Sequence, residues 1–60
     1  MLYYVRAFDD GEEYIYEYGN MRHAEEHYGW EKTAEIWSYE NGNKTLIRGK
    51  VDGVELTIQN

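Results

Sequence analysis

Apolar and polar residues alternate along the C-terminal part of the chain, and two Asx-Gly pairs interrupt the alternation. Asn41-Gly42 and Asp52-Gly53 each lie between runs rich in Tyr, Val, Ile or Thr. Such pairs favour two-residue hairpin turns, because Asn, Asp and Gly accept the positive φ that these turns require. The pattern therefore predicts an antiparallel meander. Its predicted cross-strand pairs are Tyr39 with Lys44, Trp37 with Leu46, Glu35 with Arg48, Lys50 with Glu55 and Ile47 with Ile58.

This register assigns the residues of the meander to two faces, because side chains alternate across a strand. One face is expected to pack in the core and holds Ala34, Ile36, Ile47, Val51, Val54, Leu56 and Ile58. The other face holds Glu35, Trp37, Tyr39, Lys44, Leu46, Arg48, Lys50, Glu55 and Thr57. One register satisfies both turns, the apolar alternation and the pairing of opposite charges, and this agreement supports it.

A further hairpin is predicted around Asp9-Asp10-Gly11, with two alternative registers. A loop of two or four residues pairs Phe8 with Glu13, and one face then holds Tyr3, Val5, Ala7, Tyr14, Tyr16 and Tyr18. A three-residue loop instead pairs Phe8 with Glu12 and joins Leu2, Tyr4 and Phe8 to the three tyrosines. We favour the first register, because it leaves Arg6 on the outer face between Glu13 and Glu17.

A short helix is predicted between the two hairpin regions. Asn20 is a good N-cap, Met21, Ala24 and Tyr28 recur at helical spacing, and Gly29 is a suitable C-terminal stop. The whole chain, residues 1–60, is thus expected to form one small α+β domain of the order ββαβββ. Its antiparallel sheet has the strand order 2-1-3-4-5 with the helix on one face. A half-closed small barrel is the alternative.

The charge distribution bears on the class of partner. The formal net charge is -6, of which residues 1–40 contribute -7 and residues 41–60 contribute +1. An acidic chain repels nucleic acid as a whole, so nucleic acid is a disfavoured partner. The chain has no Cys, and its N-terminal residues form neither a signal peptide nor a membrane span. We therefore expect a cytoplasmic protein without a membrane association.

One motif suggests metal chemistry. His23-Ala24-Glu25-Glu26-His27 fits H-x-x-E-H, the inverted zinc-peptidase signature. Histidines at i and i+4 lie on one helical face and can share a zinc ion, with Glu26 as a base on bound water. A catalytic site also needs a third ligand and a cleft, which a chain of 60 residues has little interior to build. A solvated helix face is the favoured interpretation, with no metal and no cofactor expected.

Nothing else in the sequence indicates catalysis. Ser38 is the only serine, and the glycines are spaced as turns rather than as a phosphate loop. Carboxylates cluster at the first hairpin, where Asp9, Asp10, Glu12, Glu13 and Glu17 are predicted to form an acidic face. Their spacing does not match a calcium-binding EF-hand loop. We therefore expect a protein that is not an enzyme.

The outer sheet face is the most informative feature for function. If the helix covers one face, Trp37, Tyr39, Leu46 and Arg48 project together from the other. Large aromatic residues on an open face usually mark a binding or dimer interface. The N-terminal hairpin could instead fold over this face and close a barrel. The expected partner is another protein or a second copy of the chain.

The layout is similar to that of the very small phage inhibitors of uracil-DNA glycosylase, which are short and acidic. Asp9-Asp10-Gly11, the strand Tyr16-Glu17-Tyr18 and the following helix carry the resemblance over the first two thirds of the chain. It implies a small acidic dimer that imitates the charge of DNA. The predicted function is a non-enzymatic protein-binding module, such as an inhibitor or DNA mimic of mobile-element type. The alternatives are a single-stranded nucleic-acid binder using the aromatic and basic sheet face, and a metal-binding domain using His23 and His27.

Overall fold

Antiparallel pairing connects all the strands in residues 1–57, the part of the chain that the computed structural model describes. The elements are β1 (Leu2–Asp9), β2 (Glu12–Tyr18), α1 (Met21–Trp30), β3 (Ala34–Glu40), β4 (Asn43–Val51) and β5 (Val54–Glu55). The sheet order is β2-β1-β3-β4-β5, which confirms the predicted α+β fold and strand order. The alternative barrel does not form, because β2 and β5 lie at opposite edges of an open sheet.

Three tight turns connect the hairpins as predicted. Asp10, Asn41 and Asp52 have φ of 50°, 51° and 50°, and the glycine after each of them has φ of 79° to 81°. Positive φ at both central residues is the geometry of a type I′ turn, whose twist matches that of the flanking strands. Phe8 pairs with Glu13, so the favoured register of the first hairpin is confirmed.

The helix begins at its predicted cap. The Asn20 side chain accepts a hydrogen bond of 2.9 Å from the backbone N–H of His23. The C-terminal end differs from the prediction, since α1 continues through Gly29 to Trp30 and stops at Glu31, whose backbone is extended. Gly29 does not have positive φ and therefore does not act as the stop.

The core lies between α1 and the sheet face formed by β1 and β3. Its buried residues are Val5, Ala7, Ala24, Tyr28, Ala34 and Ile36. Tyr3, Tyr18, Met21 and Ile47 pack around them. Four of the six buried residues come from β1 and β3, because these are the strands against which α1 mainly packs.

The predicted register of β3 and β4 is correct near the turn and wrong beyond it. Tyr39 pairs with Lys44 and Trp37 with Leu46, as expected. Glu35, however, pairs with Gly49 rather than with Arg48, because the register shifts between Ile36 and Trp37. Ile47 is the extra residue of this β-bulge, and an extra residue moves every later side chain of its strand to the opposite face.

The bulge reverses the predicted faces of the C-terminal strands. Arg48, Lys50 and Glu55 lie on the helix side, although Lys50 still pairs with Glu55 as expected. Val51, Val54 and Leu56 are not core residues and are exposed. Ala34, Ile36 and Ile47 do contribute to the core as predicted. Ile58, with its predicted pairing to Ile47, lies outside the described residues.

Candidate functional site

The sheet face opposite α1 is covered by no other element of residues 1–57, and we call it the outer face. Alternation places Tyr4 of β1, Ile15 of β2, Trp37 and Tyr39 of β3 and Leu46 of β4 there. Tyr4 lies across from Trp37, and its ring meets the ring of Tyr39 edge-on at a centroid distance of 6.3 Å. The side chains support one another laterally, so Trp37 and Tyr39 are half-buried without a covering layer.

Charged groups surround this aromatic centre and are connected to it. The Arg6 guanidinium donates to Glu13 at 2.7 Å and to Glu35 at 3.4 Å, and it lies 5.0 Å from the ring centre of Phe8. The Trp37 indole N–H donates to Glu35 at 3.1 Å. These contacts fix the Trp37 ring against the sheet, so that its face is presented in one orientation.

The outer face contains an open concavity of about 530 Å³. Tyr4, Arg6, Glu13, Ile15, Trp37, Tyr39 and Lys44 line it. Its walls are mainly apolar, and its charged lining residues are Arg6, Glu13 and Lys44. Protein-binding surfaces are enriched in aromatic residues and Arg, as this lining is.

The displaced apolar residues enlarge the outer face towards β5. Gly49 has no side chain, and the Leu56 side chain packs close to it: a Cβ on Gly49 would lie 3.6 Å from Leu56 Cδ1 and 3.8 Å from Glu35 Cγ. Val51 and Val54 are 48% and 67% exposed. Exposed apolar residues that lie together on one face of a small domain are typical of an interaction surface.

The predicted binding residues separate into two groups. Trp37, Tyr39 and Leu46 do lie together on the outer face, whereas Arg48 lies on the helix side.

The predicted acidic face is also divided between the two sides of the sheet. Glu13 and Glu17 project from the outer face, Asp9 and Glu12 project from the helix side, and Asp10 lies in the turn. The five carboxylates therefore form an acidic edge and hairpin tip rather than one face.

Arg48 belongs to a cluster that holds α1 against β4 and β5. The Arg48 guanidinium and the Lys50 ammonium lie 4.7 Å and 4.4 Å from the ring centre of Tyr28. The Tyr28 hydroxyl donates to Glu55, which also pairs with Arg48. Burial, followed by the hydrogen bond to Glu55, raises the pKa of Tyr28. The hydrogen bonds from Tyr28 and then Arg48 lower the pKa of Glu55.

The two histidines of the zinc-type motif have different surroundings. His23 lies at the exposed start of α1, where Nδ1 is 3.3 Å from the Asn20 side-chain amide. His27 is only 11% exposed, and its two ring nitrogens lie 2.5 Å from the Tyr18 hydroxyl and 3.0 Å from Glu31 Oε2. Within residues 1–57, no three His, Asp or Glu side chains are grouped as metal ligands would be.

Tyr18, His27 and Glu31 form a hydrogen-bonded chain that resembles a base with its orienting carboxylate. Neither the outer-face concavity nor the smaller one between the first and last turns is lined by these residues. Burial raises the pKa of Tyr18, which favours the neutral phenol over a nucleophilic phenolate. These hydrogen bonds therefore have a structural role, because they tie α1 to the end of β2.

Some residues of the outer face, and the whole cluster around Tyr28, were not predicted from the sequence. Tyr4 and Ile15 follow from the same alternation that placed Arg6 on the outer face, so the signal was present in the register of the first hairpin. The cluster around Tyr28 depends on the bulge at Ile47. The available signal for this bulge is Gly49, because a lone glycine inside a strand often marks a bulge.

No helix within the described part of the chain is long and apolar enough to span a membrane. In comparisons with known proteins, no family model, no curated protein and no solved structure matches the chain.

Proposed function

We propose that the protein is a non-enzymatic binding module that docks on another protein through its outer face. The observation that carries the proposal is the aromatic surface around Trp37, Tyr39 and Tyr4, which no element of residues 1–57 covers. Aromatic side chains that are held in place by neighbours lose little conformational entropy when a partner binds. Such anchors contribute a large part of the affinity of many protein complexes.

The charge of the molecule supports a partner with a basic surface. Residues 1–40 carry a net charge of -7, and three of their carboxylates, on Glu13, Glu17 and Glu35, lie on the outer face. Complementary charge accelerates association and excludes wrong partners. Proteins that bind nucleic acid present basic surfaces of this kind, so we propose an inhibitor-like role that imitates an acidic ligand.

Direct binding of single-stranded nucleic acid is less well supported. That function would combine stacking on Trp37 and Tyr39 with backbone contacts from nearby cations. Arg48 and Lys50 lie on the helix side over Tyr28, and Arg6 is paired with two carboxylates. Lys44 is then the remaining cation at the margin of the concavity.

Capture from a lysate of the source cells with matched variants tests the proposal. We expect a basic protein to be retained by the unmodified chain and by Arg22→Ser, which changes a side chain on α1 that is 85% exposed. Trp37→Ser should lose it, and the purified pair should dissociate as salt rises. Circular dichroism of both variants checks that the fold persists.

Two outcomes would overturn this assignment. A dimer of the free chain that Trp37→Ser dissociates in sedimentation experiments would assign the outer face to a second copy. A salt-sensitive complex with mixed-sequence single-stranded DNA, lost in the same variant, would assign it to nucleic acid. Trp37 fluorescence in a Trp30→Phe background reports occupancy of the face in each experiment.

A further inference from the structure

The edge strand β2 has backbone hydrogen-bonding groups that no residue of the described chain uses. Phe8 donates its N–H to Thr33, away from β2, at 3.0 Å. Phe8 and its partner Glu13 are therefore a pair that exchanges no backbone hydrogen bonds, and pairs alternate along an antiparallel ladder. It follows that the N–H and C=O groups of Glu13, Ile15 and Glu17 point outward from the sheet.

The side chains of β2 differ between its two faces. Glu13, Ile15 and Glu17 lie on the outer face, and Glu17 makes no ion pair within residues 1–57. On the helix side, Tyr14 and Tyr16 are about two-fifths exposed, at 42% and 41%. An added strand would therefore meet carboxylates on one face and aromatic rings on the other.

The aromatic side is extended by the C-terminal end of α1. The rings of Tyr16 and His27 have a centroid distance of 4.4 Å, and that of Trp30 lies 6.1 Å beyond His27. Trp30 is 82% exposed. A large indole in this position adds apolar surface beside the edge without contributing to the core.

We propose that β2 accepts an extended basic segment of a partner as an additional strand, with its cations beside Glu13 and Glu17 and its apolar residues beside Tyr14 and Tyr16. Strand addition takes its affinity from main-chain hydrogen bonds and its specificity from alternate side chains. The matching partner sequence alternates Lys or Arg with Val, Ile or Leu. This site is separate from the docking of a folded protein on Trp37.

A second copy of the chain fits this edge poorly. If two copies paired antiparallel over the whole of β2, Ile15 would lie opposite Ile15 of the other copy. Glu13 of each copy would then lie opposite Glu17 of the other. Like charges directly opposite each other destabilise a strand pair. β2 itself carries three carboxylates and no cation. The charge of the edge thus selects a basic occupant.

A short blocked peptide that alternates lysine and valine is the direct probe, and its matched control alternates glutamate and valine. We expect the lysine peptide alone to protect the amides of Glu13, Ile15 and Glu17 from hydrogen exchange, and to bind less tightly as salt rises. Ile15→Pro removes one outward N–H without removing a bond to β1, so it should weaken binding by about tenfold or more. Ile15→Val keeps the N–H and should bind like the unmodified chain.

Trp37→Ser separates this site from the outer face and should leave peptide binding unchanged. The proposal is overturned if the three amides stay unprotected at saturating peptide, if the glutamate peptide binds equally, or if Ile15→Pro binds normally. Protection of the same amides in the free chain at high concentration would also overturn it, since the edge would then pair with a second copy.

Discussion

Tyr28 shows how one residue can contribute to both the core and the polar surface. Its ring is buried against the sheet, and its hydroxyl reaches Glu55 on β5. The cationic groups of Arg48 and Lys50 lie over the ring and help to shield it from solvent. A tyrosine is required for this combination, because phenylalanine would pack equally well and leave Glu55 with one donor fewer.

Tyr28→Phe is expected to lower the free energy of unfolding at neutral pH by about 1 kcal/mol, the usual contribution of one hydrogen bond. The matched control is Tyr14→Phe, which removes a hydrogen bond of 2.5 Å to Glu12 at an exposed position. The control should change stability little, since water replaces the lost partner. Urea unfolding followed by fluorescence measures both variants, and equal losses would contradict this account of Tyr28.

The same contact predicts a dependence on pH. The Glu55 pKa lies below its ordinary value of 4.5 in the folded protein, so its ionised form is the one that folding favours. The stabilisation is complete above pH 4.5 and is lost as pH falls through the lower folded pKa. We expect the difference between the unmodified chain and Tyr28→Phe to narrow in acid. A carbon-detected NMR titration should show the Glu55 pKa rising in the variant, and an unchanged value would refute the assignment.

At the level of elements, the turns and β1 to β3 could be predicted because local chemistry specifies them. Asx-Gly pairs encode type I′ turns, and each such turn determines the register of the strands beside it. The register remains correct as far as Leu46 and fails at Ile47, where the bulge inserts one residue. The bulge places Arg48 over Tyr28 and leaves Val51 exposed. Strict alternation predicts the opposite, with Arg48 on the outer face and Val51 in the core. The partner of the outer face is not encoded in any single element.

At the scale of elements, replacing glycine by alanine is expected to change stability in opposite directions at two positions. Gly42 has φ of 81° in the turn between β3 and β4, so Gly42→Ala should destabilise the protein by about 1 kcal/mol. Gly29 lies in α1 with open space around it, so Gly29→Ala should stabilise it by about 0.5 to 1 kcal/mol. Thermal unfolding compares the two variants. Shifts of the same sign would show that the turn or the helix has been described incorrectly.

Across the whole molecule, charge is distributed unevenly over short distances. The radius of gyration is 11.0 Å, close to the screening length of about 10 Å in 0.1 M salt. Carboxylates at the hairpin tip therefore interact with one another and with the rest of the acidic N-terminal region at low salt. The repulsion reduces stability, and it provides the field that would attract a basic partner.

Asp10→Asn tests this balance without disturbing the fold. Asn tolerates the φ of 50° at this turn position as well as Asp does, so the substitution removes one charge and leaves the backbone unchanged. The melting temperature should rise by about 2 °C at low ionic strength and the increase should disappear in high salt. Asn41→Asp is the matched control, because it makes the reverse exchange at the same turn position, where φ is 51°, in a segment, residues 41–60, with a net charge of +1. It should leave the melting temperature nearly unchanged at low salt, and an increase for Asp10→Asn that persists in high salt would mean that the turn, rather than the charge, is responsible.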